Sequence, residues 1–261
     1  MTTVIPEHPI GTRRKTARHL GHLIVCAVAA ASFCAPQVWA SKAAVAPIVA
    51  SKPTDAGAPR FANFGNEKPS TDARHIADWV ADSHDNSSME FFIIDKNFAR
   101  IYVFDANAHL KGTSAVLLGA AKGDDSAPGI GSKPLKAVKP EEKTTPAGRF
   151  VAERGRNTAG EDVIWIDYDA AVSMHRVRAT NLKERRLERL ATPTVDDNRI
   201  SFGCINVPAA FYNTRIKPVF AKHRAVVYVL PEVKTAQMVF RSYDVATKHA
   251  PAVNSSAMQI K

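Results

Sequence analysis

Short β-branched and aromatic runs, each stopped by Asp, Asn or Gly, constrain this chain more than anything else in it. Glu90-Phe91-Phe92-Ile93-Ile94-Asp95 is the first, and Lys96-Asn97 turns it. Arg100-Ile101-Tyr102-Val103-Phe104-Asp105 follows, Ala106-Asn107 turns again, and Ser114-Ala115-Val116-Leu117-Leu118-Gly119 is the third. Runs of this length and composition predict a meander of antiparallel strands rather than helices. After a long polar loop from Ala120 to Thr145, Thr145 to Phe150 restarts the sheet, Val163 to Ile166 continues it, and Ala171 to Val177 adds a strand bearing His175. Arg224 to Leu230 reads as a closing buried strand. Helices are few and short: Thr71 to Asp82 behind a Ser70 or Thr71 cap, Thr180 to Leu190, Pro208 to Ile216, and an amphipathic piece at Gln237 to Tyr243. The fold class is mainly β.

The N-terminus has a different logic. Arg13, Arg14, Lys15 and Arg18 precede a mostly apolar stretch from Leu20 to Ala35, and Val38-Trp39-Ala40 offers small residues at the −3 and −1 positions of a cleavage site. That pattern predicts a secretory signal over 1–40, too short in its apolar part to be a comfortable membrane span. Residues 41–88, rich in Ala, Pro, Ser and Lys up to about Pro69, read as a flexible linker holding one short helix. A folded domain is expected over 89–231 and a peripheral extension over 232–261. The protein is expected in the periplasm or cell envelope, monomeric, with no stable membrane insertion once the signal is cleaved.

The full chain carries a formal charge of +10, and the part after the leader still has 31 basic against 24 acidic residues. Such a balance suits an anionic polymer or surface, or serves only solubility. His75 and His84 lack a Cys or carboxylate at ligand spacing, so they read as ordinary surface residues.

Cleavage would remove Cys26 and Cys34 and leave Cys204 alone. In an oxidising compartment structural cysteines pair, so a lone one is buried and inert, an intermolecular partner, or reactive. Its setting favours reactivity. Gly203 precedes it, and a helix expected from Pro208 offers a positive dipole end. A free thiol near pKa 8.5 is only slightly ionised at neutral pH, so a base is needed. His175 is the best placed of the histidines, since His109 and His223 fall near element ends.

Thr145-Pro146-Ala147-Gly148-Arg149-Phe150, then Met174-His175, then Ser201-Phe202-Gly203-Cys204-Ile205-Asn206 resemble the L,D-transpeptidase catalytic domain of the YkuD type, over roughly Met89 to Pro231. That family has a T-P-x-G-x-F strand, an upstream histidine and an S-H-G-C-x-[RN] signature. The resemblance implies a β-sandwich-like domain with short helices, and neither a metal nor an organic cofactor. It implies Cys204 as acyl-accepting nucleophile, His175 as general base and acid, and Gly203 with Cys204 as the oxyanion-hole turn. Ser201, Phe202 and Asn206 then shape the pocket. Arg176, Arg185, Arg186 and Arg189 are the cations expected to meet stem carboxylates.

Two departures from the family are visible. Phe202 replaces the signature histidine two positions before the cysteine, and His175 to Cys204 spans 29 positions, longer than the family's usual interval. The extra length is read as an inserted helical lid. The implied partner is a peptidoglycan stem peptide, not nucleic acid. The implied reaction releases D-alanine from a tetrapeptide stem and passes the acyl group to an amine. Acyl transfer to water, a wall-binding protein without turnover, and a cysteine hydrolase of other exported peptides remain open at this stage.

Overall fold

The computed structural model describes residues 57–251, so the expected signal 1–40 and the first part of the linker, 41–56, lie outside it. The fold is mainly β, one large sheet with a few short helices. Among the described residues there are ten strands: β1 (Phe91–Asp95), β2 (Arg100–Phe104), β3 (Leu110–Ala115), β4 (Leu118–Gly119), β5 (Gly148–Arg156), β6 (Asp162–Asp167), β7 (Val172–Arg176), β8 (Arg199–Ser201), β9 (Ile205–Val207) and β10 (Ala225–Val229). Eight of them form one sheet in the order β3-β2-β1-β10-β5-β6-β7-β9, and β4 pairs with β8 in a second.

The expected antiparallel meander holds within β1-β2-β3 and within β5-β6-β7. It fails at β10, which joins the two halves by pairing parallel to β1 and antiparallel to β5, and at the edge of the sheet, where β9 lies parallel to β7. Every residue of β1 and β10 is buried. A central parallel pair needs both faces covered, which is why these two strands read as unbroken apolar runs rather than alternating ones.

Alternation does appear in how the two faces are filled. Phe92, Ile94, Val227 and Val229 enter one core with Ile101, Val103, Met174, Ile205, Tyr212 and Phe220. Phe91, Ile93, Val226 and Tyr228 enter the other with Tyr102 and Phe104. The second core is closed by helix α1 (Thr71–Ser83), whose Ile76, Ala77, Trp79 and Val80 face the sheet. Ser70 caps α1 by accepting from the Ala73 N–H, and His84 ends it in a left-handed turn. Ala62 and Phe64 pack in the same core. Packing therefore starts well before Met89, because the second face of the sheet would otherwise meet water.

The same reason revises the expected peripheral extension. Helix α4 (Ala236–Phe240) buries Ala236 and Phe240 in the second core. Helix α5 (Val245–Lys248) follows, and Tyr243, Lys248 and His249 all donate to the buried Asp82 at the end of α1. His75 on α1 bonds Ser242 Oγ at 2.9 Å.

Two expected helices are broken. Leu182–Glu184 is one 3₁₀ turn, Arg185 sits at φ +50°, and only α2 (Arg186–Ala191) is α-helical. The helix expected from Pro208 is α3 (Ala209–Phe211) followed by a π turn, Tyr212–Ile216. The expected third strand is split into β3 and β4 at Val116–Leu117.

Candidate active site

Strands β7 and β9 lie side by side and parallel, with Met174 opposite Ile205 and His175 opposite Asn206. Cys204 immediately precedes β9, so the same register sets it beside Ser173. Ser173 and His175 share a face of β7, because successive side chains alternate. This brings together residues 29 positions apart in sequence.

The Cys204 thiol is half-buried, with Ser173 Oγ at 3.6 Å and the Ala171 carbonyl at 3.7 Å as its hydrogen-bonding neighbours. Burial pushes the thiol up. The neighbouring His175 imidazole, joined by the backbone and side chain of Ser173, outweighs burial and holds it below the ordinary thiol value. His175 Nδ1 lies 2.8 Å from the Arg176 carbonyl. A carbonyl only accepts, so Nδ1 carries the hydrogen and Nε2 is the basic nitrogen of the neutral ring.

The helix dipole expected at the thiol does not reach it. Strand β9 intervenes, and α3 begins at Ala209. Five extended steps put that helix start roughly 16 Å away, beyond the reach of a short helix's end charge.

The turn before Cys204 is tied at several points. Ser201 is buried; its Oγ accepts from the Gly203 N–H at 3.0 Å and donates to the Cys204 carbonyl at 2.7 Å. The Gly203 N–H, expected to be an oxyanion donor, is thus already engaged. Gly203 has φ +128°, and a Cβ there would lie 2.6 Å from the Thr144 carbonyl, so no other residue fits. Asn206 is buried; its Nδ2 donates to the Cys204 carbonyl at 3.1 Å and its Oδ1 accepts from Arg186 at 2.6 Å. Phe202 is exposed, with Lys143 Nζ 4.3 Å from its ring centre.

A cavity of about 430 Å³ opens on the thiol. Cys204, His175, Ser201, Phe202, Asn206 and Arg186 line it, together with Leu135, Arg178, Thr180, Asn181 and Glu184. Of the four arginines expected at the substrate, only Arg186 is there. Arg176 faces a neighbouring cavity of about 230 Å³, paired with Asp162 at 2.8 Å and stacked on Tyr212. Arg185 pairs with Glu188, and Arg189 donates to the carbonyls of Glu184 and Asp197; both turn away because the segment expected to be a lid is a kinked pair of turns, not one helix. Arg178, on no regular element, lines both cavities and carried no sequence signal. Among the described residues, no three His, Cys, Asp or Glu side chains stand close enough to hold a metal ion.

No protein-family model matches this chain, and no curated protein matches it. Among solved structures, it is similar to the Enterococcus faecium L,D-transpeptidase C442S mutant, at 15% identity and a TM-score of 0.30 over 54% of this chain and 50% of that one. It is also similar to LD transpeptidase LdtMt1 in complex with imipenem, at 15% identity and a TM-score of 0.30 over 54% and 58%. A third is the helical cell shape determining protein Pgp2 from Campylobacter jejuni, at 13% identity and a TM-score of 0.38 over 60% and 55%. The chain spans about half the length of these structures. Likeness this distant leaves the chemistry to rest on the thiol and its cavity.

Proposed function

We propose that this chain is an L,D-transpeptidase-like cysteine acyltransferase acting on peptidoglycan tetrapeptide stems. One observation carries the reading: Cys204 and His175, brought together by neighbouring parallel strands, line one open cavity, and the lowered thiol pKa agrees with it. Inert structural cysteines are packed in hydrocarbon and shifted upward instead.

In this mechanism the thiol proton passes to His175 Nε2. The thiolate attacks the carbonyl that follows the third stem residue, and a C–S bond forms. The Cys204 N–H, which precedes the β9 ladder, is the donor left for the oxyanion, since Gly203 is engaged with Ser201. The bond to D-alanine then breaks, and His175 gives its proton to the departing amine. An amine of a second stem attacks the thioester while His175 takes its proton, which restores the thiol and leaves a crosslink. Water in place of the amine gives carboxypeptidase activity. Arg186 and Arg178 supply the positive wall for stem carboxylates. Action on the wall goes with an exported protein. Among the described residues no helix is long and apolar enough to cross a membrane.

The engagement of the Gly203 N–H favours a second reading, a wall-binding protein whose turnover is lost. Intact-mass spectrometry after incubation with a tetrapeptide stem or imipenem tests both. The enzyme reading expects one adduct, absent in Cys204→Ala. D-alanine release that persists in Cys204→Ala would sink it, and stem binding without any adduct would support the binder.

A further inference from the structure

The Thr145 hydroxyl is wholly buried and used twice. It donates to the Gly203 carbonyl at 2.8 Å and accepts from the Gly119 N–H at 2.9 Å. Gly119 belongs to β4, which pairs with β8 opposite Ser201. A Cβ on Gly119 would lie 2.3 Å from the Lys143 carbonyl, so β4 is pressed directly against the segment that carries Thr145. One hydroxyl thus joins β4 to the peptide immediately before the reacting cysteine, 58 residues away in sequence.

Thr145 is itself anchored from below. Its carbonyl accepts from Lys96 Nζ at 3.0 Å, and Lys96 has no exposed surface. The same ammonium bonds the Gly123 carbonyl at 2.6 Å and Asp124 at 2.9 Å, with Glu232 at 3.5 Å. Glu232 also pairs with Arg199, and Arg199 donates to the Lys96 carbonyl at 2.9 Å. Arg199 begins β8, the strand that runs into Ser201 and the turn. The turn is therefore fixed at its start through Arg199 and near its end through Thr145, and both fixings meet in one buried group of two cations and two anions.

We propose that Thr145 is a positioning residue, coupling the buried Lys96 group to the Cys204 turn and so holding the thiol against Ser173 and His175. It touches no substrate. The proposal rests on Cys204 being the reacting thiol but not on which substrate is used. A valine at 145 keeps the shape and removes both hydrogen bonds. It leaves the Gly203 carbonyl free to turn, and with it the thiol.

The test is the pH profile of Cys204 alkylation by iodoacetamide in the full chain. Thr145→Val should move the midpoint up by about one pH unit and slow alkylation below the midpoint about tenfold, while Thr145→Ser should keep the native profile. A Thr145→Val profile identical to the native one overturns the proposal, as does an equal shift in Thr145→Ser. If Thr145→Val does not fold, Thr145→Ala is read by the same criterion, because it removes the same hydroxyl and both of its hydrogen bonds. A native protein whose Cys204 reacts only in the ordinary thiol range refutes the active-site reading first, and this proposal with it.

Discussion

Two charged clusters flank the Cys204 turn, one above it and one below. Above, the lid presents Arg185 with Glu188 and Arg186 with Glu184; the Arg185 and Glu188 side chains are 70% and 60% exposed. Below, Lys96, Asp124, Glu232 and Arg199 are at most 7% exposed. The residue types are the same, but the surroundings are not. Exposed pairs are screened by water and contribute little. Buried charges have lost their hydration, so each needs its partners in place, and removing one leaves the others stranded. The lower cluster therefore fixes geometry, whereas in the upper one only the Arg185–Glu188 pair is free of that constraint, since Arg186 is 14% exposed and donates to the buried Asn206.

Breaking the lower cluster should have the largest effect. Lys96→Met strands two carboxylates and is expected to cost roughly 3–5 kcal/mol of stability, measured by denaturant unfolding. A loss under about 1 kcal/mol would mean that the cluster behaves like a surface pair. Acid probes it more gently. Burial raises Asp124, but the N–H of Lys234, the Lys96 ammonium and the N–H of Glu232 outweigh it and bring the carboxyl down to about 2. A carboxyl depressed on folding adds stability above its unfolded value near 3.8, and that contribution is lost as the pH falls toward 2. The steepest acid loss is thus expected between about 4 and 2, and Asp124→Asn should flatten it.

The lid should respond less. Arg186→Ala takes a charged donor from the buried Asn206 and is expected to cost about 1.5–3 kcal/mol, with weaker adduct formation at Cys204. Arg185→Ala removes only an exposed pair and should change stability by less than about 0.5 kcal/mol and leave alkylation unchanged. If Arg185→Ala proved as damaging as Arg186→Ala, the lid would have to be a single rigid unit, against its kink at Arg185.

How much of this was legible in the chain depends on the range of the interaction. The runs at Phe91–Asp95 and Arg100–Phe104 state their own conformation, since strand preference and turn residues are local. Met174-His175 and Gly203-Cys204 could be paired in the sequence only through the family motif, since the chain has nine histidines; the register of β7 on β9 brings the two to one cavity. The long basic segment after His175 misled for a physical reason: its leucine spacing suits a helix, but Arg185 in the left-handed region breaks it, and Arg185 and Arg189 then point elsewhere. Lys96, Asp124, Arg199 and Glu232 gave no signal at all, each being an ordinary surface residue type.

The sequence by itself determined a mainly β chain, its strongest strands such as β1, β2 and β10, and a single candidate nucleophile among the described residues, because backbone preference and side-chain chemistry belong to each residue and its neighbours. Only the tertiary structure decided that β10 separates β1 from β5, that β9 lies parallel to β7, and that Thr145 grips the Cys204 turn. Those are contacts between residues dozens of positions apart, and their free energy comes from shared burial, which no short stretch of the chain contains.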